Sequence, residues 1–222
     1  MTPLFITGTG TGVGKTLVTA ALTHQVRARG MTVRALKPVL SGFDIADETD
    51  AHVLLAAQDL GTSQLDTITP WRFAAPLSPD MAAAREGRTV PFEDLVIFCH
   101  DAMAEGHDYV LIEGVGGAFV PLDAGHTVAD WIAALDIPAV VVTGSYLGTL
   151  SHTIATVRAM EAHGLSVAAV VVSESPDAPA SLDETMATLT RFLPGTRLLA
   201  LPGISAGATP AWQRAADLSA LI

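Results

Sequence analysis

The residues best suited to chemistry begin in a glycine-rich stretch near the start of the chain, Phe5-Ile6-Thr7-Gly8-Thr9-Gly10-Thr11-Gly12-Val13-Gly14-Lys15-Thr16. Glycines let the backbone curl so that successive N–H groups point at phosphate oxygens. A helix that opens near Lys15 would add the positive end of its dipole. The Lys15 ammonium would neutralise β- and γ-phosphate charge, and the Thr16 hydroxyl would bind Mg²⁺. The stretch therefore predicts a site for a nucleoside triphosphate.

This stretch departs at one position from the phosphate-loop pattern G-x-x-x-x-G-K-[ST]. Thr9 stands where the first glycine belongs, and Gly8 lies one position earlier. A merely flexible turn of glycines and threonines is the alternative interpretation. The order of strand, glycines, Gly-Lys-Thr and helix favours the phosphate loop.

A second anchor for Mg²⁺ is expected at the end of another strand. The run Tyr109-Val110-Leu111-Ile112 reads as a strand, Glu113 follows it, and a glycine-rich loop over 114–117 comes next. Ligands of open α/β sheets collect at the carboxyl ends of the strands. Glu113 is therefore a candidate metal ligand. The alternative is a surface acid ahead of a tight turn.

Lys37 and Asp50 are weaker candidates on sequence grounds. Lys37 ends the second predicted strand, in Leu36-Lys37-Pro38-Val39-Leu40-Ser41-Gly42, where a catalytic lysine and a solvated one are both reasonable. Asp50 closes the run Asp47-Glu48-Thr49-Asp50, just before a predicted helix. Spacing alone favours capping of that helix by Thr49 or Asp50.

Two further features bear on the kind of site. The stretch 144–152 joins a strand to a helix, so its N–H groups could bind a carboxylate. The seven histidines show no metal-binding spacing, and Cys99 is the one cysteine. Because Cys99 sits in an apolar run, we expect a buried thiol and neither a zinc site nor a cysteine nucleophile.

Short apolar runs alternate with segments of helical periodicity along the chain. The runs predict strands over 4–7, 33–39, 109–112, 139–143, 167–172 and 198–201, and the periodic segments predict helices over 15–29, 50–58, 92–105, 128–135, 149–163 and 182–192. Residues 67–79, with three prolines, read as a long and functional loop. The alternation predicts one domain over 1–222, a doubly wound, mostly parallel α/β sheet of the P-loop NTPase type with helices on both faces.

The composition and net charge of the chain limit the kinds of partner that it is expected to bind. The chain has 222 residues and a formal net charge of −11, which repels nucleic acid and anionic lipid, so neither nucleic acid nor a membrane is expected as a partner. The start of the sequence lacks the features of a signal peptide, and no apolar run reaches membrane-spanning length. With a single cysteine as well, the sequence predicts a cytoplasmic protein.

Taken in order, these motifs resemble the dethiobiotin synthetase family, over nearly the whole chain. The resemblance is carried by Gly8–Thr16, Lys37-Pro38-Val39 with Ser41-Gly42, Asp50, Glu113-Gly114-Val115-Gly116-Gly117, Ala129-Asp130-Trp131, Leu147-Gly148 with His152, and Leu189-Thr190-Arg191. It implies ring closure of 7,8-diaminopelargonate with CO₂ and ATP, which yields dethiobiotin, ADP and phosphate in biotin synthesis. The family's route runs through a carbamate and a carbamic–phosphoric anhydride.

The resemblance also implies roles for individual residues. Lys15, Lys37 and Thr11 would be catalytic, and Thr16, Asp50 and Glu113 would hold Mg²⁺. Thr11 and Ser41 would bind the carbamate or the substrate amines. A homodimer is implied, in which Gly148, Thr149, Leu150 and Ser151 of the partner hold the substrate carboxylate. ATP would be bound by Gly12, Val13, Gly14, Lys15, Thr16, Leu17, Asp50, Glu113, Gly114, Val115 and Gly116.

Three positions depart from the family pattern. Gly12 replaces an acid found in some relatives, Ser173-Glu174 stands where an asparagine often contacts adenine, and Thr185 replaces a substrate-binding tyrosine. Base contacts are therefore assigned to Ser173, Pro202, Gly203 and Ile204.

Three rival classes fit less well. A cobyrinate-type amide synthetase would need a nucleophilic cysteine and an additional domain. A partitioning-type switch ATPase would bind DNA or membrane, against the net charge. A small-molecule kinase would need an arginine-rich lid, and Arg85 and Arg88 are the only nearby pair.

Overall fold

The computed structural model describes residues 1–44 and 48–222, so Asp47 lies outside the described residues. The strands are β1 Thr2–Gly8, β2 Val33–Leu36, β3 Val39–Ser41, β4 Trp71–Phe73, β5 Tyr109–Glu113, β6 Ala139–Gly144, β7 Val167–Ser173 and β8 Leu198–Leu201. The α-helices are α1 Lys15–Ala28, α2 Asp50–Ala57, α3 Leu65–Ile68, α4 Pro79–Arg85, α5 Phe92–Ala104, α6 Val128–Leu135, α7 Thr149–Ala162 and α8 Leu182–Phe192. Short 3₁₀ turns cover Thr62–Gln64, Ala211–Gln213 and Ser219–Leu221.

Six parallel strands form the main sheet, in the order β2-β5-β1-β6-β7-β8. β1 lies between β5 and β6, with Ile6 in register with Glu113 and Gly8 in register with Val142. The carboxyl ends of these strands therefore meet at one edge. Helices α1, α2, α5, α7 and α8 contact strands of the sheet, and α6 packs against α5. The predicted parallel α/β fold is confirmed.

The second predicted strand is wrong in its extent. β2 ends at Leu36, and residues after Pro38 form β3, which pairs with β4 in a separate two-stranded parallel sheet. Pro38 has no N–H to continue a ladder. The neighbouring Lys37 N–H instead donates to the Ile68 carbonyl at 3.0 Å. The chain therefore leaves the main sheet at Lys37.

The long loop predicted over 67–79 is also corrected. It contains the end of α3, the strand β4 and Pro79, the first residue of α4. β4 is three residues long and its partner β3 lies about thirty residues earlier in the chain, so periodicity could not reveal it. Within the described residues, no helix is both long and apolar enough to cross a membrane.

The centre of the core joins β1 to α6. Phe5 and Trp131 are fully buried and meet edge to face, with ring centroids 4.8 Å apart. Thr127 and Asp130 cap α6 reciprocally, since the Asp130 carboxylate accepts from the Thr127 N–H at 2.7 Å. A Cβ on Gly114 would lie 2.9 Å from the Phe5 ring, so this position requires glycine. The core thereby sets the path of the loop after Glu113.

Replacing Trp131 by alanine should lower the free energy of unfolding by about 3–5 kcal/mol, because it empties a fully buried aromatic site. Phe192→Ala is the matched control, since Phe192 is 49% exposed. Urea unfolding monitored by circular dichroism measures both variants. Equal losses in the two would contradict this account of the core.

Candidate active site

The phosphate loop connects β1 to α1. Gly12 and Gly14 have positive φ angles of 73° and 98°, and Gly14 stands immediately before the helix. These values lie in the left-handed region that glycine adopts without strain. Lys15 is buried, and its Nζ donates to the Gly10 carbonyl at 2.8 Å. The ammonium group thus folds back over the loop, where it can meet a phosphate chain.

The packing of β6 explains why the loop departs from the standard glycine spacing. A Cβ at Gly8 would lie 2.8 Å from the Val142 carbonyl oxygen and 2.9 Å from Val13 Cγ2. Gly8 therefore has to be glycine. Thr9 instead places its hydroxyl 3.0 Å from that of Thr143. The threonine is an integral part of the loop, and the pattern remains that of a phosphate site.

Glu113 and Lys37 form a buried ion pair beside the loop. Glu113 is fully buried at the end of β5, and its Oε1 accepts from Lys37 Nζ at 2.5 Å and from Thr16 Oγ1 at 2.7 Å. Asp50 Oδ2 lies 2.8 Å from the same Lys37 Nζ. One ammonium therefore joins two carboxylates, and both stand close to the Thr16 hydroxyl.

Asp50 does more than spacing alone indicated. Thr49 is the residue that precedes α2 as its N-cap, and its N–H lies 3.1 Å from the His52 ring nitrogen Nδ1. Asp50 is the first helical residue and points to Lys37. The capping interpretation thus holds for Thr49, whereas Asp50 belongs to the ion cluster.

The charges of the site hold one another in their ionised forms. Burial acts to lower the pKa of Lys37, but Glu113 and Asp50 outweigh it, so the pKa is raised. Burial acts to raise the pKa of Asp50, but the charge of Lys37 and the hydrogen bond from Lys37 lower it. Burial first, and then repulsion by Lys37, lowers the pKa of Lys15 to about 8. Lys15 is therefore the group whose charge is easiest to remove.

The oxygen atoms around Thr16 fit Mg²⁺. Glu113 Oε2 is buried and has no hydrogen-bond partner among the described residues. The Thr16 hydroxyl and the Asp50 carboxylate complete a set of hard oxygen donors. Mg²⁺ is commonly held by one or two carboxylates together with substrate phosphates and water. The donor set present therefore suits this ion.

A cavity of about 500 Å³ opens over these groups. Its floor is the phosphate loop and the ion cluster, and Thr11 and Ser41 lie on its wall. The Ser41 hydroxyl is buried and has no hydrogen-bond partner within residues 1–44 and 48–222, so a ligand could supply one. Apolar side chains close the cavity, among them Leu40, Leu77, Val115 and Val120.

Residues 76–79, which precede and begin α4, supply part of this wall and were not predicted individually. The signal in the sequence was the length of the proline-containing segment, which suggested function without indicating which residues face a ligand. Gly12, Gly14, Lys15, Thr16, Val115 and Gly116 also line the cavity.

Several predicted site residues lie elsewhere. Gly148, Thr149, Leu150 and Ser151 form the start of α7 and do not line the cavity. Ser173 lies against the phosphate loop, since a Cβ on Gly14 would be 3.2 Å from its hydroxyl. Six further residues that were predicted to bind ATP do not line the cavity either: Val13, Leu17, Gly114, Pro202, Gly203 and Ile204.

One contact near the predicted base site was missed. The Gly203 N–H donates to Glu174 Oε2 at 2.7 Å, so Glu174 holds the turn after β8 against the end of β7. Spacing gave no sign of it, because the two residues follow different strands and lie far apart in the chain. Cys99 is buried, and burial raises the pKa of its thiol, so it is not an activated nucleophile.

Comparison with known proteins decides the family. A family model described as an AAA domain matches residues 2–210. The ATP-dependent dethiobiotin synthetase BioD of Acidiphilium cryptum (strain JF-5) is 45% identical over 99% of this chain and 99% of its own. The protein of the same name from Methylobacterium nodulans is 49% identical over 90% of this chain and 92% of its own. This chain belongs to the ATP-dependent dethiobiotin synthetase family.

The fold of this dethiobiotin synthetase family member is also similar to that of more distant proteins of known structure. Chloroplast FtsY from Physcomitrella patens has a TM-score of 0.54 at 16% identity; the match covers 93% of this chain and 59% of FtsY. MinD from Pyrococcus horikoshii OT3, solved with Mg-ADP, has a TM-score of 0.52 at 15% identity, over 90% of this chain and 81% of MinD. The predicted family, P-loop fold and ATP-dependent enzyme class are confirmed.

Affinity for ADP should fall as pH rises above about 8, because phosphate binding favours the charged form of Lys15. Binding then takes up a proton, and the association constant drops by at most about tenfold per pH unit. The association constant for ADP is measured by calorimetry between about pH 7.5 and 9.5. The phosphate of ADP, with a pKa of about 6, does not titrate in this range. Lys15→Arg keeps its charge and should lose the slope. Affinity of the unmodified protein that stays constant over this range would contradict the assignment.

Proposed function

We propose that this chain catalyses the ATP-dependent ring closure of 7,8-diaminopelargonate with CO₂ to dethiobiotin, ADP and phosphate, in biotin biosynthesis. The observation that carries the proposal is the buried Lys37 ammonium beside the phosphate loop, held by Glu113 and Asp50 at the floor of a mostly apolar cavity. Relatives 41–49% identical to this chain are named ATP-dependent dethiobiotin synthetase, which supports the proposal.

The proposed reaction needs no nucleophile from the protein. One amine of the substrate bonds to the carbon of CO₂ and loses a proton, which gives a carbamate. A carbamate oxygen attacks the γ-phosphorus of ATP, and ADP leaves with the electron pair of the broken bond. The second amine then attacks the carbonyl carbon, loses a proton and expels phosphate. Both new C–N bonds close the cyclic urea.

Lys37 and Lys15 would stabilise the negative charges of the carbamate and the triphosphate, which the reaction brings together. The carbamate and the triphosphate are both anions, and bringing them together requires fixed positive charge. Lys37 Nζ is already oriented by two carboxylates, so little reorganisation is needed when the carbamate arrives. Lys15, from the phosphate loop, covers the transferring phosphoryl group. Thr11, which also lines the cavity, hydrogen-bonds the carbamate.

Mg²⁺, when bound, neutralises charge on the β- and γ-phosphate oxygens. Thr16, Asp50 and Glu113 would hold it, directly or through water. The unpartnered Glu113 Oε2 supports this assignment. The Thr16 hydroxyl currently donates to Glu113 and has lone pairs left to act as a ligand.

The upper cavity suits the diamine. The buried Ser41 hydroxyl lies on the wall and can bind the amines or the carbamate. Leu40, Leu77 and Val120 offer apolar surface to the alkyl chain of the substrate. One polar group among apolar walls fixes the orientation of such a ligand.

A homodimer completes the proposed site. The substrate carboxylate would bind at Gly148, Thr149, Leu150 and Ser151 of the second protomer. Leu147, next to this turn, is 85% exposed, which supports burial against another chain. Ser173, Pro202, Gly203 and Ile204 would contact the base of ATP from the edge formed by β7 and β8. One domain over 1–222 and a cytoplasmic location remain proposals from the sequence.

Phosphate release from Mg·ATP tests the proposal. We expect release to depend strictly on both the diamine and bicarbonate, with dethiobiotin found by mass spectrometry in equal amount. ATP hydrolysis that ignores the diamine, and responds instead to a macromolecular partner, would replace the proposal with a switch ATPase.

The variant Lys37→Ala tests whether Lys37 takes part in the proposed reaction. It should abolish turnover and preserve most ADP affinity, because Lys37 meets the carbamate rather than the diphosphate. Lys15→Ala is the matched control, since that lysine sits on the phosphate loop and its loss should weaken ADP binding itself. Turnover by Lys37→Ala within a few-fold of the unmodified protein would remove Lys37 from the mechanism.

A further inference from the structure

A cluster of hydroxyl groups links the phosphate loop to the first turn of α7, and the proposed reaction gives a role to none of its members except Thr149. The hydroxyl of Thr143, at the end of β6, lies 3.0 Å from that of Thr9 and 3.0 Å from that of Thr149. Thr153, one turn further along α7, donates to Thr143 at 2.9 Å. Thr143, Thr149 and Thr153 are buried. Thr143 is therefore the centre of the cluster.

The direction of the hydrogen bonds follows from the single proton of each hydroxyl. Thr149 donates to the Gly144 carbonyl at 2.5 Å, so its proton is used and it accepts from Thr143. Thr143 therefore donates its single proton to Thr149. It can only accept from Thr9 and Thr153.

The chain of contacts continues to the surface. The Tyr146 hydroxyl lies 3.4 Å from the Thr9 hydroxyl. It also lies 3.0 Å from His152 Nδ1. One continuous path runs from His152 through Tyr146, Thr9 and Thr143 to the first residue of α7.

The two hydroxyl groups on either side of Thr143 belong to different sites of the proposed enzyme. Thr9 opens the phosphate loop, and its N–H also donates to the Val142 carbonyl at 3.0 Å. Thr149 begins α7, directly after Gly148, whose φ is 97°. Fully satisfied buried networks make local structure rigid, whereas a missing member leaves a buried polar group unpaired. The hydroxyl cluster thus fixes one site relative to the other.

We propose that Thr143 is a positioning residue, which through Thr9 sets the entrance of the phosphate loop and through Thr149 sets the start of α7. Tyr146 and His152 complete the bonding of Thr9 from the outside. The inference rests on the proposed function only for the second site, where α7 would hold a carboxylate. The effect on nucleotide binding stands independently of which reaction follows.

Thr143→Val tests the proposal, because valine keeps the shape and removes the hydroxyl. We expect the Kd for ADP, measured by calorimetry, and the KM for ATP to rise by about fivefold to tenfold, with kcat changed less than about twofold. Thr143→Ser restores the hydroxyl and should return both values to within about twofold of the unmodified protein. An ADP Kd unchanged by valine, or not restored by serine, would overturn the proposal.

Tyr146→Phe and His152→Ala provide a test that does not disturb the buried core, since neither side chain is buried. Each should raise the Kd for ADP in the same direction as Thr143→Val, by about twofold to fivefold. The double variant should rise by less than the product of the two, because both act through Thr9. Independent, multiplying effects would contradict the path. Because ADP binding needs no diamine, these results stay distinct from failure of the proposed ring closure.

Discussion

The contact of the buried Lys37 ammonium with the buried carboxylate of Glu113 and the half-buried carboxylate of Asp50 is the constraint on which the site depends. β5 supplies Glu113, the chain leaving β2 supplies Lys37, and the first turn of α2 supplies Asp50. Removing charges from water is costly, and a single member left behind would be an uncompensated buried charge. The three elements are therefore held in one arrangement, and the side chains are oriented before any ligand binds.

The parallel sheet makes this contact possible. Because β1, β5 and β6 run in the same direction, the phosphate loop, Glu113 and Thr143 all emerge at one edge. The core packs directly against the site at this edge. Gly114 leaves room for the Phe5 ring, and Gly8 leaves room for the Val142 carbonyl. Packing thus sets the geometry in which the charged groups of the site meet.

Much of the fold and part of the site could be predicted from the sequence. Lys15, Thr16 and Glu113 follow or precede apolar runs, so local spacing was enough to bring them to one edge of the sheet. Spacing alone favours a cap by Thr49 or Asp50, and only the family resemblance places Asp50 in the site, because its contact with Lys37 joins two elements that periodicity treats separately. β3 and β4 were missed, since strands of three residues around prolines carry almost no periodic signal. The pairing of Thr9 with Thr143 crosses 134 positions and depends on three-dimensional packing alone.

The path of one oxygen atom tests the proposed ring closure most directly. In a single turnover started with oxygen-18 bicarbonate and quenched before the label exchanges with water, the carbamate oxygen that attacks ATP should leave with the phosphate. The account predicts one labelled oxygen in each phosphate released together with dethiobiotin. Unlabelled phosphate, formed as fast as dethiobiotin, would show that water accepts the phosphoryl group and would contradict activation of the carbamate by ATP.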